Sequence, residues 1–110
     1  TADDIMAMRQ EAAGVSIHEN LRAYAVKIAE ATRDRAEIAC GASPRSLLAL
    51  LRCAQTVAFM DDRSYCVPED IARAAAMTLP HRLVLSTGAK LSRVTGEDIV
   101  NKILGQVTVP

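Results

Sequence analysis

The run Gly41-Ala42-Ser43-Pro44-Arg45-Ser46-Leu47-Leu48-Ala49-Leu50-Leu51-Arg52 decides how this chain is read. Ser43 followed by Pro44 predicts a helix start: serine accepts from a free amide of the first turn, and proline lacks the amide that would be orphaned there. The helix then continues to about residue 60. Leu47, Leu48, Leu50, Leu51, Ala54, Val57 and Ala58 cover well over half of its circumference, which predicts the central, most buried element. Arg45, Ala49, Arg52 and Thr56 form the one stripe free of large apolar groups, so Arg45 faces away from the core. It also falls in the first turn, where the helix dipole favours carboxylates over cations. The other predicted helices obey that rule, opening on Asp3-Asp4, Glu19, Glu69-Asp70 and Glu97-Asp98. Helix-end physics leaves two readings open. Either Arg45 points into water at a cost of about a few tenths of a kcal/mol, or the guanidinium and the exposed amides share an anion such as phosphate.

Four further helices are read outward from this one. The first covers roughly residues 3–13, with Ile5, Met8 and Ala12 on one face and Gly14 as a stop. Val15-Ser16-Ile17 is an extended link. Ser16 and Glu19 have capping-box spacing, and a helix follows to about Asp34 with Leu21, Tyr24, Ala25 and Ile28 on its apolar stripe. A polar loop then reaches Gly41. Beyond the turn Asp61-Asp62-Arg63-Ser64, Pro68-Glu69-Asp70 opens a helix ending near Leu79-Pro80. Residues 83–94 stay ambiguous: Leu83-Val84-Leu85 reads as a short strand or a helical turn, and Ser86-Thr87-Gly88 as loop. Thr95 and Asp98 cap a last helix carrying Ile99, Val100, Ile103 and Leu104. The expected fold is all-α, a small helical bundle of about five helices.

Composition narrows the function. The 110 residues suit one domain, and half are hydrophobic, with only two tyrosines, one phenylalanine and no tryptophan. This is a core of small aliphatic side chains. Thirteen basic and thirteen acidic residues balance, which argues against a dedicated nucleic-acid binder. No apolar run approaches a membrane span. Beginning at Thr1 and ending at Val109-Pro110, the chain reads as a piece of a longer protein. Cys40, Cys53 and Cys66 make no Cys-x-x-Cys pair, so free thiols in a reducing cytosol are expected, Cys53 and Cys66 buried and Cys40, before the glycine loop, more exposed. His18 and His81 have no companion at metal-ligand spacing, so no metal site is expected. The chain contains no G-x-x-x-x-G-K-[ST] loop, no strand ending in paired acids and no G-x-S-x-G. It has no self-sufficient active site.

Three groups of residues, in this order and spacing, carry a specific resemblance. Thr32-Arg33 precedes Gly41-Ala42-Ser43-Pro44-Arg45. Arg63-Ser64-Tyr65-Cys66-Val67-Pro68-Glu69-Asp70-Ile71 follows, and then Leu79-Pro80-His81-Arg82-Leu83. From about Val15 to Pro110 the chain closely resembles the C-terminal helical lid of MoxR-family AAA+ ATPases. The resemblance implies that residues 15–110 are a lid and residues 1–14 a linker helix from an α/β ATPase core. It implies that Arg45 is the sensor 2 arginine, reaching ATP phosphates held with Mg2+ by that core, with Ser43 and Pro44 beside the nucleotide. It brings Tyr24 and Ile28 near the adenine ring, although their place on the apolar stripe favours core packing. Arg33 reads as structural, and His81 and Arg82 match the family without an assigned role. Val67 departs from the pattern, because a capping threonine is usual before Pro-Glu-Asp. The family works in the cytoplasm as rings, usually hexamers. Its chaperone-like roles include maturation of protein complexes and metal-cofactor insertion, often with von Willebrand A-domain partners. The alternative is a stand-alone helical adaptor or helix-turn-helix DNA-binding domain. Against it, the helix after Pro44 carries leucine and alanine where a recognition helix displays basic residues.

Overall fold

The computed structural model describes residues 1–110. It contains six α-helices: α1 (Ala2–Ala13), α2 (Glu19–Arg33), α3 (Pro44–Met60), α4 (Pro68–Thr78), α5 (Thr87–Leu91) and α6 (Gly96–Gln106). A 3-10 turn covers Pro80–Arg82, and two short strands, β1 (Ile38–Cys40) and β2 (Val84–Leu85), pair antiparallel. No helix is long and apolar enough to cross a membrane.

The all-α bundle is as expected, with three local differences. The expected polar loop before Gly41 contains β1, which pairs Ile38 with Leu85 and ties that segment to residues 84–85. Within residues 83–94, Ser86 accepts from the Ala89 amide and starts α5, so Thr87-Gly88 is helical and not loop. The Ser16–Glu19 capping box does not form. The Ser16 backbone is instead taken up by a bridge to the 64–66 segment, with bonds of 2.9 Å to the Ser64 carbonyl and from the Cys66 amide. His18 caps α2 in its place, its Nδ1 accepting from the Asn20 amide at 3.1 Å. At α6 the Thr95–Asp98 box forms as expected.

The core gathers Leu21, Ala25 and Ile28 of α2, Leu50, Ala54 and Ala58 of α3, Ile71, Ala74 and Ala75 of α4, and Ile99, Val100 and Ile103 of α6. Alanines on the facing sides of α3 and α4 shorten the distance at which the two helices pack. Helix α3 is central, but its apolar surface exceeds what the bundle covers. Leu48 is exposed, and Leu47 and Leu51 are half-buried. Helix α1 lies against α3 with only Ala12 buried, so Ile5 and Met8 stay more than half exposed.

Candidate functional site

The start of α3 is built as its sequence predicts. Ser43 is the N-cap in extended conformation, its hydroxyl accepting from the Ser46 amide at 3.1 Å, and Pro44 takes the first helical position. The first turn holds no acidic residue. Proline has no amide, the Ser46 amide is taken by Ser43, and the Leu47 amide bonds the Ser43 carbonyl. The amides of Arg45 and of the Ser43 cap itself are left without a hydrogen-bond partner. Arg45 itself is exposed, and no carboxylate pairs with it. The stripe it heads stays open, with Arg52 and Thr56 also exposed.

The preceding turn is held from α2. Gly41 lies so close to α2 that a Cβ there would sit 2.8 Å from Arg33 Cγ and 2.9 Å from Thr32 Oγ1. The buried Thr32 hydroxyl donates to the Ala29 carbonyl at 2.6 Å and accepts from the Ala42 amide at 2.8 Å. Arg33 closes the other side: its Nε and Nη2 both donate to the Ala42 carbonyl, at 3.0 and 2.9 Å. Nothing local in the sequence signals these contacts, which span nine and ten residues.

Tyr24 is 3% exposed and Ile28 fully buried. Both belong to the core cluster, and this burial favours packing over contact with a base. Burial, and secondarily the Glu69 carboxylate, push the Tyr24 hydroxyl above its ordinary pKa. His81 and Arg82 sit exposed on the 3-10 turn with no side-chain hydrogen bond. No group of three or more histidine, cysteine, aspartate or glutamate side chains is placed to hold a metal. The three cysteines are unpaired. Burial, then Asp70, raises the Cys66 thiol against a smaller opposing effect of Arg63, and so disfavours the reactive thiolate.

A second polar cluster organises the opposite end of α3. Asp70, 1% exposed, accepts from Arg63 Nη1 at 2.6 Å, from Arg63 Nη2 at 2.8 Å and from the Val67 amide at 2.8 Å. Burial alone would raise the Asp70 carboxyl. The hydrogen bonds from Arg63 and the Val67 amide, with the charges of Arg63 and Arg73, outweigh it and hold the group below its ordinary value. Hence α4 keeps half of a capping box although Val67 offers no side-chain acceptor. Asp70, three residues beyond Val67, is the sequence signal for this bond; its pairing with Arg63 had none.

Comparison with known proteins agrees with this architecture. Residues 30–103 match the AAA lid domain family. The chain is 35% identical over 108 residues to the uncharacterized protein YeaC of Bacillus subtilis, covering 98% of this chain and 34% of that protein. It is 30% identical over 116 residues to the chaperone MoxR1 of Mycobacterium tuberculosis, covering 97% of this chain and 31% of that protein. The chain thus spans about a third of the length of the curated relatives it matches. A crystal structure of a candidate ATPase from Cytophaga hutchinsonii superposes with a TM-score of 0.91 at 31% identity, over 98% of this chain and 36% of that one. With a matched segment that runs from the last turn of α2 through the Arg45 corner into α6, the chain belongs to the AAA lid domain family and is a helical lid of the MoxR type.

Proposed function

We propose that this lid serves an ATP-hydrolysing AAA+ ATPase and that Arg45 is its sensor 2 arginine, directed at phosphates held by an α/β core. The observation that carries the reading is a guanidinium exposed at the first turn of α3 with no carboxylate to neutralise it. Its planar fork of N–H donors matches the oxygens of a phosphate. The dipole of α3 adds to the attraction, and the free Arg45 amide supplies one more donor. Ser43 and Pro44 set the direction of that turn. Magnesium in this reading is held by the core, because this chain offers no ligand cluster. Helix α1 connects the lid to that core, and residues 15–110 form the lid proper. The assembled protein is a cytoplasmic ring with chaperone-like activity, in keeping with the name of its relative MoxR1 and with three unpaired thiols.

The test is ATP turnover by the full-length protein. Arg45→Ala should slow hydrolysis about 10-fold or more, because a phosphate-directed arginine stabilises charge that develops in the transition state. Arg45→Lys should recover only part of the rate, since it keeps the charge and loses the fork. Wild-type turnover in Arg45→Ala would remove the assigned role.

A further inference from the structure

We propose that Thr32 and Arg33 are positioning residues for Arg45, locking the end of α2 to the start of α3 so that the arginine is held in one orientation. The proposal rests on Arg45 being the phosphate contact. Three observations carry it. Both polar groups of Ala42 are taken by consecutive residues of one helical turn: its amide by the Thr32 hydroxyl, its carbonyl by two nitrogens of the Arg33 guanidinium. Thr32 is itself fixed, fully buried and donating to the Ala29 carbonyl, so its oxygen acts as a relay anchored in α2. Gly41 brings the backbone into contact with both side chains, at a distance where any Cβ would collide.

The consequence follows from the covalent chain. Ala42 is 1% exposed and immediately precedes the Ser43 cap. Fixing the planes of its two peptide groups leaves only the Ser43 and Pro44 dihedrals between the clamp and Arg45, and those are restricted by the cap bond and the proline ring. Without the clamp, β1 would still hold the segment as far as Cys40, but the turn from Gly41 to Ser43 would have no anchor on α2 and would let the first turn of α3 pivot. A displacement of about 1 Å at a charge-stabilising group is enough to cost up to about 100-fold in rate.

The experiment measures ATP turnover by the full-length protein carrying Thr32→Val, Thr32→Ser, Arg33→Ala and Arg33→Lys, each with Arg45 intact and in an Arg45→Ala background. With Arg45 intact, Thr32→Val and Arg33→Ala should lower kcat about 10-fold. Thr32→Ser, which keeps the hydroxyl, should retain most of the rate, and Arg33→Lys, which lacks the paired nitrogens, should not. In the Arg45→Ala background the same substitutions should cost nothing further, as expected of residues acting through one group. Equal losses in both backgrounds would assign Thr32 and Arg33 to the fold alone and overturn the proposal. So would unchanged turnover in Thr32→Val and Arg33→Ala while Arg45→Ala is slow. Wild-type turnover in Arg45→Ala itself would instead overturn the phosphate role of Arg45, and the clamp's function with it. Should Arg33→Ala fail to fold, the Thr32→Val and Thr32→Ser pair decides the question by the same comparison.

Discussion

Replacing Asp70 by asparagine tests how much the buried carboxylate, as opposed to its shape, holds α4 in place. Asp70 accepts three hydrogen bonds, two from Arg63 and one from the Val67 amide. Asparagine has one acceptor oxygen, and its NH2 group would face an N–H of the guanidinium. Bonds to a charged partner contribute about 1.5–3 kcal/mol each. Part of that loss is recovered: an amide oxygen in the Oδ2 position keeps the Val67 bond and one bond from Arg63, Arg63 retains Asp61 at 3.0 Å, and the guanidinium end reaches water. The net cost expected for Asp70→Asn is about 2–3 kcal/mol. A domain of this size unfolds with an entropy of about 2.1 cal/mol/K per residue, so the melting temperature should fall by about 10 °C. The assay is thermal unfolding followed by circular dichroism, repeated as a pH series. The Asp70 carboxyl is held below its ordinary value in the folded state. Its contribution is therefore fully present above the unfolded value of about 3.9 and is lost as pH falls through the lower folded value. The gap between wild type and Asp70→Asn should accordingly narrow below about pH 4. A fall of under about 3 °C at neutral pH, or a gap that persists unchanged into strong acid, would refute the reasoning.

Three further outcomes are expected from the same melting assay. Val67→Thr should raise stability by up to about 1 kcal/mol, because Val67 already has the extended conformation of an N-cap and lacks only the oxygen; a lower melting temperature would show that the threonine cannot reach the first-turn amide. Gly96→Ala should cost about 1–3 kcal/mol, since a Cβ there would meet the Pro80 carbonyl oxygen at 2.7 Å and backbone cannot yield as a side chain does. In the same helix Gly105→Ala meets nothing and should gain about 0.5–1 kcal/mol, so equal effects at the two sites would contradict this account. Tyr24→Phe should leave the melting temperature within about 2 °C, because the Tyr24 hydroxyl makes no hydrogen bond whose loss would strand a partner; a larger fall would mean that its oxygen carries stability.

Most of the helices were legible because their signals are local. Ser43-Pro44, Pro68-Glu69-Asp70 and Thr95 with Asp98 satisfy or remove orphaned amides within one turn, and the structure starts helices at each. The Ser16–Glu19 spacing shows the limit of that logic. A capping serine is available only if its backbone is not already engaged elsewhere, and here Ser16 bridges to residues 64–66. Strands β1 and β2 have no local signal for a related reason. At three and two residues they carry no period of their own and exist through each other. The apolar stripe of α3 predicts the most buried helix, yet α3 buries only four residues against six in the shorter α2. Leu48 and Met60 are exposed because what covers a helix face is set by its neighbours and not by the face.

By itself the sequence determined the helical class, the cap that opens α3 and the placement of Arg45 on the stripe turned from the core, since all three follow from residue spacing along one helix. Tertiary structure alone decided that Arg45 stands without a carboxylate, that Asp70 pairs with Arg63, and that Thr32 and Arg33 grip Ala42. These depend on which side chains meet after the chain has doubled back. A partner nine residues away across a turn leaves no periodic trace, because its position is fixed by the packing of α2, β1 and α3 rather than by the dihedrals between them.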